Sequence, residues 1–141
     1  MAKQTEKQKI GQIGEDIATK YLENKGFSVI ERNYRKKYGE IDIIAEKDRV
    51  LHFIEVKTVS HENFVCFSGD LSDNVSRETD NYRPEDNIHP YKLRRLSRTI
   101  QVYLLEKYTK KVPEWQFDAI TVRLDKETKR AKVRFLENII L

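Results

Sequence analysis

Two apolar runs set almost end to end, Gly39–Glu46 and Arg49–Lys57, constrain this chain more than any other feature. The first carries Ile41, Ile43, Ile44 and Ala45; the second carries Val50, Leu51, Phe53, Ile54 and Val56. The short polar step at Lys47-Asp48 between them marks a hairpin. Strands this apolar are usually covered on both faces, so helices are expected on either side of the sheet. The same strands also carry acids and a lysine at even spacing. Paired so that Glu46 faces Arg49, Asp42 faces Phe53 and Glu40 faces Glu55. Period-two alternation then sends Glu40, Asp42, Glu55 and Lys57 out of one face. Asp42 and Glu55 become diagonal neighbours, about 7–8 Å apart at the backbone. A register shift of two residues preserves that shared face.

Carboxylates held this close raise one another's pKa unless a cation relieves them. Hard oxygen ligands, few in number and leaving room for water, suit Mg²⁺ or Mn²⁺ rather than zinc. Such an ion polarises a phosphate oxygen and acidifies an attacking water. Lys57, on the same face, would orient that water or meet developing negative charge. The competing reading is a solvated face with cross-strand ion pairs. Leu51 and Phe53 lie on that same face and argue against it.

The rest of the chain supplies a frame. From about Lys7 to Lys25, the residues Ile10, Ile13, Gly14, Ile17, Ala18, Tyr21 and Leu22 follow one helical face, and Gly26 supplies a stop. Glu15 falls on the shoulder of that stripe. Phe27–Tyr34 reads as a strand. A second helix is expected from Pro90 to about Tyr108, with Leu93, Leu96, Ile100, Tyr103 and Leu104 as its stripe. Two further strands follow over Trp115–Leu124 and Lys132–Ile139. The fold class is α/β, with a central mixed five-stranded sheet flanked by helices. A length of 141 residues suits one domain spanning the chain. The stretch from about 60 to 89, rich in Asn, Asp and Ser with no sustained period, is expected to be a long mobile loop in which Phe64, Val65 and Phe67 dock or extend the preceding strand. Trp115 and Tyr103 read as core.

Composition narrows the class. No apolar stretch approaches the ~20 residues of a membrane helix, and Met1–Lys9 lacks secretory character. The lone Cys66 excludes an internal disulfide and a thiolate zinc site. A cytoplasmic setting is expected. Lys and Arg number 27 against 23 Asp and Glu, a net charge of +4. That sum is compatible with a polyanionic partner but does not require one; clustering says more. Lys92, Arg94, Arg95 and Arg98 crowd the first half of the second helix, where the dipole disfavours cations, and suit a phosphate backbone. Arg35 and Lys36 lie between Tyr34 and Tyr38, mixing charge with rings just ahead of the acidic hairpin. His52, His61 and His89 have no ligand spacing. Asp118 reads as a cap or a supporting acid.

A longer string carries a resemblance. It comprises Gly11-Gln12-Ile13-Gly14-Glu15, Tyr21-Leu22, Gly26-Phe27, Arg32-Asn33-Tyr34-Arg35, Gly39-Glu40-Ile41-Asp42-Ile43-Ile44-Ala45 and Phe53-Ile54-Glu55-Val56-Lys57-Thr58. Lys92 ahead of an apolar helix, Phe117-Asp118 and Glu137-Asn138-Ile139 extend it. Together these resemble the YraN family of bacterial proteins, and Asp42 with Glu55-Val56-Lys57 resembles the PD-(D/E)XK motif of restriction-endonuclease-like nucleases. The resemblance implies a restriction-endonuclease-like fold and an Mg²⁺- or Mn²⁺-dependent nuclease acting on DNA phosphodiesters. It further implies Asp42 and Glu55 as metal ligands, Glu40 lining the same mouth as a further ligand, Lys57 as the catalytic lysine and Glu15 as a helix-borne acid. DNA contacts fall to Lys92, Arg95, Arg35 and Lys36. Archaeal Holliday-junction resolvases share this layout, which points to branched or structured DNA and to a homodimer. Val59 and Gln116 stand where the family usually has arginine, and the 60–89 stretch is longer than usual. Those departures favour the alternative, a catalytically inactive nucleic-acid-binding or partner-docking module of the same fold.

Overall fold

The computed structural model describes residues 4–60, 90–125 and 127–141. The stretch expected to be a mobile loop, with His61, Phe64, Val65, Cys66, Phe67 and His89, lies outside the described residues. Helix α1 runs Glu6–Asn24, opened by a reciprocal cap. The Thr5 side chain accepts from the Gln8 amide at 3.1 Å, and Gln8 Oε1 accepts from the Thr5 amide at 2.9 Å. Gly26, at φ 94°, lets the chain leave the helix into β1, Ser28–Lys36. Strands β2 (Gly39–Lys47) and β3 (Val50–Ser60) follow, then α2 (Pro90–Lys107), β4 (Glu114–Asp125) and β5 (Arg130–Leu136).

The five strands form one sheet in the order β1-β2-β3-β4-β5. Neighbours are antiparallel except β3 and β4, which run parallel from Val50↔Glu114 to Ser60↔Leu124. The mixed α/β architecture expected from the sequence is therefore present. A parallel pair needs a crossover, and α2 lies on it. Each helix covers its own core. Leu96, Ile100, Tyr103 and Leu104 of α2 pack with Tyr34, Ile44, Leu51, Phe53 and Phe117. Ala18 and Leu22 of α1 pack with Phe27, Ile43, Ala45, Ile54, Ile120 and Val122. Among the described residues no helix is long and apolar enough to cross a membrane.

Three expectations need correction. The hairpin turns at Asp48-Arg49, both left-handed at φ 51° and 68°, so Lys47 pairs with Val50, Ile44 with Phe53 and Ile43 with Ile54. A two-residue turn with both centres left-handed matches strand twist, and it moves the register by two from the one expected. Trp115 is 38% exposed at the start of β4, resting edge-on against Phe53 rather than inside the core. The last strand stops at Leu136. Beyond it the Ile139 amide donates to the Phe117 carbonyl at 2.7 Å and holds the tail against β4.

The feature that positions the site is a fork. β2 and β3 are paired only as far as Ile43↔Ile54. Beyond that point β2 stays with β1 to Lys36↔Gly39, whereas β3 stays with β4 to Ser60↔Leu124. Helix α1 is seated beside the freed part of β3 by Gly14. A β-carbon there would lie 1.8 Å from Thr58 Oγ1 and 2.7 Å from Thr58 Cβ. Gly11, one turn earlier, has open space. Gly14→Ala should therefore destabilise the protein by about 1–3 kcal/mol through overpacking. Gly11→Ala should be neutral or gain up to about 1 kcal/mol from helix propensity. Urea melts of the two variants measure the contrast; equal effects would contradict the close seating of α1.

Candidate functional site

Asp42 and Glu55 each stand one residue beyond the last β2·β3 pair, at the crotch of the fork. With no strand partner left for it on that side, the Val56 amide donates at 2.8 Å to Asp42 Oδ2 instead. A side chain thus takes the place of a missing ladder carbonyl, which fixes the Asp42 carboxylate inside the opening. The resulting cleft, of about 560 Å³, is lined by Glu15 from α1, Glu40 and Asp42 from β2, Glu55 from β3, and Lys92 and Arg95 from α2. Both helices contribute because the fork opens toward each face of the sheet. The corrected register sets Asp42 and Glu55 at equivalent positions past Ile43↔Ile54 rather than on a diagonal.

The electrostatics are strained. Burial pushes the Asp42 carboxyl up to about 7; the Val56 amide works against this, and the negative charges of Glu55, Glu15 and Glu40 reinforce it. Glu15 is raised from the usual carboxylate range by burial, with Arg32 opposing. Each of the other acids has found a donor. Lys92 Nζ stands 2.5 Å from Glu55 Oε1, Arg35 Nε 3.2 Å from Glu40 Oε1, and Arg32 Nη2 3.7 Å from Glu15 Oε1. The Asn33 amide, turned so that its nitrogen donates, reaches Glu40 Oε1 at 3.0 Å and Glu15 Oε1 at 3.1 Å. Glu55 Oε2 is buried and has no hydrogen-bond partner among the described residues.

That orphaned oxygen beside a buried, pKa-raised aspartate is the test of whether a cation fits. Both atoms are hard acceptors in want of positive charge, which is what Mg²⁺ or Mn²⁺ takes. Among the described residues no three His, Cys, Asp or Glu side chains converge into a cage of their own. One or two carboxylates, completed by water or a phosphate, is the usual complement for Mg²⁺.

The structure brings Glu15, Glu40, Asp42 and Glu55 together, as the sequence led one to expect, but not Lys57. Past the fork β3 runs beneath the first turns of α1. Exposed Lys57 there lines an adjoining groove with Lys7, Gly11 and Val59; Glu15 and Val56 are common to both openings. Lys92 is the lysine that lines the cleft, against Glu55. Of the other cations expected to meet DNA, Arg35 and Arg95 lie at its rim, and Lys36 is turned to Glu106 at 3.1 Å. Sequence reasoning missed Asn33, which takes φ 54° inside β1; its being an asparagine, a residue that tolerates that conformation, was the available signal. It also set His52 aside. His52 Nδ1 lies 2.5 Å from wholly buried Asp118, which also accepts from Gln116 Nε2 and the Asn138 amide at 2.8 Å. None of these three side chains lines the cleft. Asp118 ties β3, β4 and the tail together, and Gln116, where an arginine was expected, serves it.

Residues 14–122 match a family described as Uncharacterised protein family UPF0102, a span that includes every acid of the cleft together with Lys92 and Arg95. The chain is 37% identical over 133 residues to a UPF0102 protein of Campylobacter hominis, covering 94% of this chain and 95% of that one. It is 40% identical over 132 residues to a UPF0102 protein of Sulfurovum sp., covering 93% of each. A UPF0102 protein of Campylobacter lari is 36% identical over 126 residues, covering 89% of this chain and 88% of that one.

The buried aspartate generates a pH prediction. The folded protein keeps the Asp42 proton up to about pH 7, while the unfolded chain releases it near 3.8. Folding therefore takes up a proton between those values, and stability falls as pH rises across the window. Asp42→Asn removes the titration while retaining an acceptor for Val56. It should be more stable than the wild type at pH 8, by on the order of 2–4 kcal/mol, and show no such gain at pH 3.5. Thermal melts at the two pH values read this directly; an advantage independent of pH would exclude burial of charge as its source.

Proposed function

The chain belongs to the UPF0102 family, and from that premise we propose a metal-dependent, nuclease-like protein that binds nucleic acid and hydrolyses DNA phosphodiester bonds. The observation that carries the reading is the cleft at the fork. It joins a buried Asp42 to a Glu55 oxygen with no partner, beside basic Lys92 and Arg95. A helix, three strands, a helix and two strands, with β3 parallel to β4, are compatible with a restriction-endonuclease-like arrangement.

In this reading Asp42 and Glu55 hold Mg²⁺ or Mn²⁺, with Glu40 at the edge. The ion, when bound, supplies Lewis-acid polarisation of the phosphate and acidification of an attacking water. The protein's own groups do the rest. Asn33 and Arg35 tether Glu40, so that it does not crowd Asp42. Lys92 neutralises Glu55 in the resting protein, and its ammonium would serve a non-bridging phosphate oxygen. Glu15, whose carboxyl burial raises above the usual range, is the helix-borne acid at the mouth of the cleft. Lys57, in the adjoining groove, is placed to meet the backbone beyond the reacting phosphate. Branched or structured DNA is the substrate the resolvase resemblance suggests, with a homodimer as the working unit.

A second reading, a non-catalytic nucleic-acid-binding or partner-docking module, has its own support. Lys92 already occupies Glu55, and Lys57 stands outside the cleft. Two measurements separate the readings. Wild type and Asp42→Ala are incubated with branched and linear DNA and Mg²⁺. The first reading expects cleavage by wild type, slowed at least about 100-fold by the substitution. Equal residual cleavage by both proteins, or none by either, removes the hydrolase. Calorimetric titration with Mg²⁺ or Mn²⁺ should show binding that Asp42→Ala and Glu55→Gln both abolish; a pure adaptor need bind no ion.

A further inference from the structure

At the rim of the cleft, the first two turns of α2 and the β1–β2 turn build a row in which rings and guanidinium groups alternate. The Arg95 guanidinium lies 5.8 Å from the centroid of the Tyr91 ring. Arg95 Nε donates at 2.7 Å to the Tyr38 carbonyl. One turn further along α2, the Arg98 guanidinium lies 4.9 Å from the centroid of the Tyr38 ring. The row is thus Tyr91, Arg95, Tyr38, Arg98. Both rings face solvent, Tyr91 58% exposed and Tyr38 36%. The row is continuous with the acidic site, since Tyr91 and Arg95 line the same cleft as Asp42 and Glu55. Lys92, the residue after Tyr91, touches Glu55.

The charge on this face runs against the helix. The first turn of α2 holds no acid, and Lys92, Arg94, Arg95 and Arg98 stand where the dipole is already positive. A polyanion resolves that conflict; rings are not needed for it. The rings are therefore the informative part. In a duplex the faces of the bases are covered by their neighbours, and only phosphates and groove edges meet a protein. An exposed tyrosine gains little from such a partner. An unpaired base offers its own π-face to the ring, and an arginine packed beside that ring strengthens the stack.

We propose that Tyr91, Arg95, Tyr38 and Arg98 form a stacking platform for unpaired bases, and that the protein takes single-stranded nucleic acid, or the unpaired segment of a structured one, into the fork. The platform rests on the reading of the partner as nucleic acid and narrows it from phosphate backbone in general to strands with free base faces. A base on Tyr91 lies beside the residue that contacts Glu55, so recognition and the acidic site belong to one surface.

The test is a binding measurement in EDTA, where neither metal nor cleavage enters. Fluorescence anisotropy compares a mixed-sequence single strand, its abasic counterpart with the same phosphates, and a duplex of equal length, each at one fixed salt concentration and in DNA and RNA form. The intact single strand, of either sugar, should bind about tenfold tighter than the abasic strand and the duplex. Tyr91→Leu and Tyr38→Leu should each erase most of that advantage and leave abasic binding unchanged, while Tyr91→Phe should retain it. Circular dichroism melts confirm that each variant is folded. Arg98→Gln should weaken all three probes and, in a separate salt titration, flatten the salt dependence. Equal affinity for intact and abasic strands overturns the platform, as does an advantage that survives both leucine variants or displacement by polyglutamate at matched charge. If Asp42- and Mg²⁺-dependent cleavage persists while the base preference is absent, the platform fails and the hydrolase stands. The converse leaves a single-strand binder without hydrolysis.

Discussion

When β2 parts from β3 after Ile43↔Ile54, the Val56 amide would be left without a partner, and the Asp42 carboxylate supplies one at 2.8 Å. Much of the site follows from that substitution. A ladder acceptor must lie in the plane of the sheet, so Asp42 is drawn inward and loses water, which is why its acidity is weakened. Glu55, across the fork, meets Lys92 through one oxygen and keeps the other buried without a partner among the described residues. The near contact of Gly14 with Thr58 brings α1 close enough for Glu15 to enter. A bulky residue at position 14 would move that acid outward even if the sheet were intact.

The resting cleft is close to charge balance. Lys92 sits against Glu55, Arg35 against Glu40 and Arg32 beside Glu15. Asp42 alone relies on a backbone dipole and burial, and it is the group whose proton is most tightly held. The Arg35–Glu40 pair lies largely in solvent and contributes little to stability, whereas Glu55 and Glu15 are mostly buried against their cations. Lys92 and Arg35 reach these acids from solvent-exposed positions.

The alternation of Glu40, Asp42, Glu55 and Lys57 along two apolar strands made the shared face legible, because parity survives a register error of two. The turn itself was not legible. Asp48 and Arg49 take left-handed conformations that Gly or Asn would have signalled and they do not. Parity also cannot tell where two strands separate, so Lys57 was assigned to a cleft that β3 leaves one step earlier. The partner of His52 lies 66 residues away, beyond any spacing rule, and Asn33 is recognisable only once Glu15 and Glu40 are seen on either side of it. Trp115 reads as core by size, but its place at the first turn of a strand end puts it at the margin of the sheet.

The single parallel pairing has a consequence for how the molecule assembles. β1–β2–β3 and β4–β5 are meanders whose contacts are local, whereas β3·β4 joins segments on either side of α2. Loop-closure entropy and contact order both delay such a junction. Asp42 and Glu55 belong to the early meander; Lys92 and Arg95 arrive with the late crossover. During folding Glu55 therefore lacks Lys92 until the crossover docks, whereas Arg32 and Arg35 of the early meander are already beside Glu15 and Glu40.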